Sequence, residues 1–126
     1  MKALILKNVE VGSKIYFPTK TDYNKKIKRT VSSIDFCALN PNNIHMRVGY
    51  KLNNEIHEPT LDKILELNPE IEAEIVDLEL KTGSVKSKYN GEEVTLHFKY
   101  IDYNGITSRV GRFFIKDGEN IWYINN

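Results

Sequence analysis

The chain has 126 residues, 40% of them hydrophobic and 28% charged, with a formal net charge of +1. That composition excludes a disordered chain, and the length suits one domain spanning residues 1–126. The lone cysteine, Cys37, excludes an intrachain disulfide and fits a reducing compartment.

In chain order, Ala3, Leu4, Ile5 and Leu6 read as a short apolar strand. The run is too short for a secretory signal and far short of the ~20 apolar residues of a membrane span, so the chain is expected to be soluble and cytoplasmic. Residues 11–17 enter a second strand, closed by Pro18, and over these seven residues the chain resembles the first strand of small SH3-like barrels. Residues 27–36 read as one strand with a bulge near Ser32 and Ser33. Asn40, Pro41, Asn42 and Asn43 signal a turn. Next, Ile44, Met46, Val48, Tyr50 and Leu52 alternate with His45, Arg47, Gly49 and Lys51, the pattern of a half-buried strand.

Thr60 is placed to cap a helix whose apolar stripe is Leu61, Ile64, Leu65 and Leu67. Asn68-Pro69 ends it, because a residue before proline avoids the helical region. Residues 71–80 suit either a second helix opened by Pro69 or a strand. Ile75, Val76 and the break at Lys81, Thr82 and Gly83 favour the strand.

The C-terminal part carries the clearest signals. Asn90-Gly91 and Asn104-Gly105 sit between strand-like runs, and each pair readily takes the positive φ angles of a type I′ hairpin turn. With Asp117-Gly118 they predict an antiparallel meander of strands at 84–89, 92–102, 106–116 and 120–125. The expected fold is therefore α+β and β-rich. An antiparallel meander is joined by additional N-terminal strands, as a partly open barrel or two packed sheets, and by one short helix.

The turns also set a register, in which Leu96 opposes Phe113 and His97 opposes Arg112. One face then collects Val85, Val94, Leu96, Phe98, Phe113, Ile115, Trp122 and Ile124. Three turns agree on this set, which is expected to be the core. The other face collects Lys86, Lys88, His97, Lys99, Arg112, Phe114 and Tyr123, with Val110 and Ile121 among them. Cations interleaved with aromatics can neutralise phosphates and stack on unpaired bases.

Charge is segregated along the chain. The balance is +7 over residues 1–54, −8 over 55–80 and +2 over 81–126. The acidic segment is expected to fold back over the cationic sheet face, or else to present Glu70, Glu72, Glu74, Asp77 and Glu79 to a basic partner.

No metal-ligand spacing joins His45, His57, His97 and Cys37, and no phosphate loop or nucleophile elbow is present. No cofactor or metal is expected. The function expected is a small non-enzymatic binding protein, a protein–protein interaction module or inhibitor of the kind that phages and mobile elements carry, using the acidic 55–80 segment. The alternative is a nucleic-acid-binding domain using the basic and aromatic sheet face. An enzyme with an unrecognised site ranks third. An exposed edge strand would allow a homodimer, although the sequence does not locate one.

Overall fold

The apolar run at the start of the chain forms β1 (Lys2–Leu6), which lies inside a sheet rather than at its edge. The computed structural model describes residues 1–39 and 42–124. β1 pairs in parallel with β5 (Ile44–Leu52) and antiparallel with β7 (Ala73–Asp77). β4 (Ser33–Cys37) borders β5 on its other side, and β6 (Glu55–His57) also pairs with β5. β2 (Lys14–Pro18) and β3 (Lys26–Thr30) form a separate hairpin. α1 (Leu61–Leu67) packs on β2 and β5. The third sheet is the meander of β8 (Lys81–Tyr89), β9 (Glu92–Tyr103), β10 (Ile106–Asp117) and β11 (Asn120–Tyr123). The fold is α+β and β-rich, and none of its sheets closes into a barrel.

Several local readings hold in the structure. Asn90 and Gly91 have φ of 53° and 82°, and Tyr89 opposes Glu92. Asn104 and Gly105 have φ of 49° and 82°, and Tyr103 opposes Ile106. Ile44, Met46, Val48 and Tyr50 are all buried, as their alternation requires. The hydroxyl of Thr60 accepts a hydrogen bond from the backbone N–H of Lys63, and the helix ends before Pro69. Residues 73–77 form a strand.

Others need correction. Residues 27–36 do not form one bulged strand. They split at Val31 and Ser32 into β3 and β4, which belong to different sheets. Asn53 and Asn54 both adopt positive φ and fold β6 back onto β5 as a further tight hairpin, which the sequence reading does not include. Of the turn signal at 40–43, Asn40 and Pro41 lie outside the described residues. In the meander the Asn104-Gly105 register runs as far as Val110 opposite Lys99. It then shifts, so that Phe114 rather than Arg112 opposes His97. Gly111, with φ of 76°, sits at this bulge.

The largest correction concerns the core. It lies among β1, β2, β4, β5 and α1, around Ile5, Phe17, Val31, Met46, Val48 and Ile64. The meander contributes Ile101 and Val110 to it. These residues sit on the face opposite to the expected one. Val85 and Trp122, expected in the core, are 47% and 62% exposed. Register says which residues share a face, and here both faces carry apolar residues, so it cannot say which face is covered.

Asn68 joins helix to hairpin. Its side chain is fully buried and donates through Nδ2 to the carbonyls of Ile64 (2.8 Å) and Tyr16 (2.9 Å). Its Oδ1 accepts from the Tyr16 N–H at 2.8 Å. Removing the amide strands these groups in a desolvated place. Asn68→Ala is expected to cost about 2–4 kcal/mol of stability, read by urea unfolding. A loss near zero would show that water replaces the clamp.

Candidate functional site

The meander is held to the rest of the chain along one line. Among the described residues, its substantial packing contact with another element is that of β10 with β4. The Gly111 N–H donates to the Ala38 carbonyl at 3.0 Å, and the Phe36 N–H donates to Ser108 Oγ at 3.2 Å. Phe36 meets Tyr103 edge-on, with ring centroids 6.2 Å apart. Ser108, Val110, Ile101 and Tyr103 all belong to one face of the meander, here called the inner face. The other is the outer face.

The outer face is apolar and aromatic. Cross-strand pairing places Val85 beside Leu96 and Ile115 beside Trp122. Phe98 meets Phe113 edge-on at 5.6 Å, and the Arg109 guanidinium lies 4.2 Å from the centre of the Phe113 ring. Phe98, Phe113, Leu96, Val94 and Ile115 are half-buried, through their neighbours in the same sheet. This is an unpartnered apolar sheet face, with Trp122 standing highest from it.

The inner face gathers the residues read from the sequence as cationic and aromatic. His97 stacks on Phe114 at 5.7 Å, Phe114 meets Tyr123 at 5.8 Å, and the Arg112 guanidinium lies 5.2 Å from the Tyr123 ring centre. Lys86, Lys88 and Lys99 extend from the same face, opposite Thr95, Glu93 and Thr82. All seven residues are therefore brought together. Phe114, however, is buried at 4% exposure, while Tyr123 is exposed.

The acidic segment is not the cover of this face. It is built into the N-terminal sheet through β6 and β7, and its ion pairs run to residues 1–54 or stay within the segment. Glu55 reaches Lys20, Glu58 reaches Arg47, Glu66 reaches Lys63, Glu72 reaches Lys7 and Asp77 reaches the amino terminus. That amino terminus holds the Asp77 carboxyl below the usual carboxylate range. Lys86 pairs instead with Glu93, 3.9 Å away within the meander. Glu70, Glu72, Glu74, Asp77 and Glu79 all stay exposed along one edge of the N-terminal sheet.

Sequence reasoning missed one charged cluster. On the solvent side of β4 and β5, Arg47 donates two hydrogen bonds to Asp35, at 2.9 and 2.6 Å, and lies 3.7 Å from Glu58. The cross-strand pairing of Asp35 with Arg47 creates it, and only the register of two strands reveals that. Burial, and then the neighbouring Asp35 carboxylate, push the Glu58 carboxyl above its ordinary pKa, against the pull of Arg47. The Asp35 carboxylate raises Arg47 in turn. The cluster lies apart from a cleft of about 580 Å³, which Ile5, Val9, Met46, Glu74 and Ile106 help to line. Among the described residues no group of three or more His, Cys, Asp or Glu is placed to hold a metal ion. No described helix is long and apolar enough to cross a membrane.

Compared with known proteins, the chain matches no family model, no curated protein and no solved structure.

The Glu58 shift has a pH consequence. A carboxyl raised in the folded chain contributes fully below its unfolded pKa, and that contribution is lost as pH rises through the folded pKa. Glu58→Gln is therefore expected to gain stability relative to the parent as pH rises through the carboxylate range, and to match it at acid pH. Thermal melts across that range measure the difference. A difference that stays constant or shrinks with pH would contradict this environment for Glu58.

Proposed function

We propose that this chain is a non-enzymatic protein-binding module, of adaptor or inhibitor type, and that its docking surface is the outer face of the meander. The observation that carries the reading is the exposure of a contiguous apolar and aromatic sheet face on so small a chain. Such faces cost free energy in water and mark interaction sites. Trp122, Phe98 and Phe113 are the residue types that anchor interfaces. The partner that fits is a protein presenting an apolar surface of matching extent.

This places the docking surface away from the acidic segment. Exposed carboxylates are well solvated and need no partner, and Glu72 and Asp77 already have internal ones. An apolar face has no such alternative. The acidic edge remains a surface for a basic partner, with Glu70, Glu74 and Glu79 exposed on it.

A second reading has its own support. The ladder of His97, Phe114, Tyr123 and Arg112, flanked by Lys86, Lys88 and Lys99, suits single-stranded nucleic acid, and the acidic segment does not neutralise it. The burial of Phe114 weighs against it, because a stacking platform needs open rings.

Two measurements separate these readings. A photo-crosslinking amino acid in place of Trp122 is expected to give one discrete protein adduct in extracts of the native cell. That adduct should vanish when Leu96→Glu is added, with the melting temperature unchanged. Oligonucleotide anisotropy is expected to show no binding at near-physiological salt. Salt-sensitive binding that a Lys86→Ala/Lys99→Ala/Arg112→Ala variant abolishes would replace the protein reading with the nucleic-acid one.

A further inference from the structure

We infer that the partner of the outer face is a second copy of this chain, stacked face to face about a two-fold axis that runs across the strands. The inference rests on the reading of that face as a protein-binding surface and names its occupant.

The extent of the face is adequate. It spans four strands and the rows from Lys81 to Tyr89, roughly 19 Å by 27 Å at ordinary strand spacing and rise. That is roughly 500 Å² of flat sheet, and protruding rings raise it towards the ~600–1,000 Å² per partner that specific interfaces bury. Two twisted sheets stack about 10 Å apart with their side chains interdigitated, as in a sandwich core.

The charges select the orientation. Lys81, Tyr100 and Arg109 form one row of the face, so two cations sit at one end. Glu92, opposite Tyr89, and Asp117, opposite Asn120, sit at the other end. Between them lie Val85, Leu96, Phe98, Phe113, Ile115 and Trp122, none of them charged. Asp102 lies one row beyond the cations and only partly offsets them. An axis across the strands lays the cationic end of one copy over the acidic end of the other, twice. An axis along the strands lays like charge over like. In a two-fold contact residue i meets residue j and j meets i, so one complementary pairing is counted twice.

The sheet edges offer a copy a poorer route. β7 is an edge strand lined by Glu72, Glu74 and Asp77, and β8 is an edge strand carrying Lys81, Lys86 and Lys88. Pairing either of these with itself brings like charges together, and β11, the uncharged outer edge of the meander, is only four residues long; both are usual protections of exposed strands.

Sedimentation velocity over a concentration series, with Trp122 emission recorded on the same samples, tests the proposal. Trp122 is the sole tryptophan, so its emission reports this face alone. The expected result is a dimer whose formation moves Trp122 emission to the blue, abolished by Leu96→Glu. Arg109→Glu or Asp117→Lys should each weaken it roughly tenfold, and Arg109→Glu/Asp117→Arg should recover most of the loss. These two exposed positions keep the test valid even if Leu96→Glu unfolds the chain. A monomer at every concentration with solvated Trp122 overturns the second copy and leaves the face to a different protein. A dimer whose Trp122 stays solvated assigns the contact to another surface and also overturns the proposal. A monomer with blue emission shows the face covered from within, which overturns this inference and the protein-binding reading together.

Discussion

The seam between β4 and β10 decides what the rest of the molecule presents. Two hydrogen bonds, from Gly111 to Ala38 and from Phe36 to Ser108, hold the meander against the N-terminal sheet. They commit the inner face to the core at the Ile101 and Val110 end. A sheet has two faces, and this chain supplies a covering layer for part of one. The outer face is left to solvent or to another molecule, and the remainder of the inner face carries the cations. Each functional reading follows from that division.

The bulge at Gly111 makes the division workable. A regular ladder would carry the pairing of Val110 with Lys99 straight through to Arg112 opposite His97. Instead three residues of β10 face one of β9, and Phe114 arrives opposite His97. Phe114 is thereby buried between His97 and Tyr123 rather than left as an exposed ring. The glycine N–H released by the bulge is the one that binds Ala38. One backbone irregularity serves both the packing of the inner face and its attachment.

Local signals were legible in the sequence and tertiary allocation was not. The Asn-Gly turns, the alternation of β5 and the cap at Thr60 depend on residues within a few positions, and each appears as read. Which face of the meander is buried depends on β4, some seventy residues earlier, and no local pattern encodes it. Agreement among three turns strengthened the register yet said nothing about the cover, because Ile101, Val110 and Phe114 supply an apolar set on the other face. The parallel pairing of β1 with β5 and the two hydrogen bonds of Asn68 with Tyr16 are long-range in the same way. The Asn53-Asn54 hairpin was local and was still missed, since neither residue is the glycine that usually marks such a turn. The acidic block was correctly seen as segregated charge, but its distant counter-charges are Lys7, Lys20 and Arg47, which only the fold brings near.

In the isolated chain the outer face is open and the inner face is the one packed. Hydroxyl-radical footprinting of dilute, monomeric chain reads both at once through comparable side chains. Strong modification of Phe98, Phe113 and Trp122 is expected, with protection of Phe114, Ile101 and Val110. The reverse pattern, with Phe114 modified and Phe98 and Phe113 protected, would contradict it and would restore the burial that the turn register alone suggested.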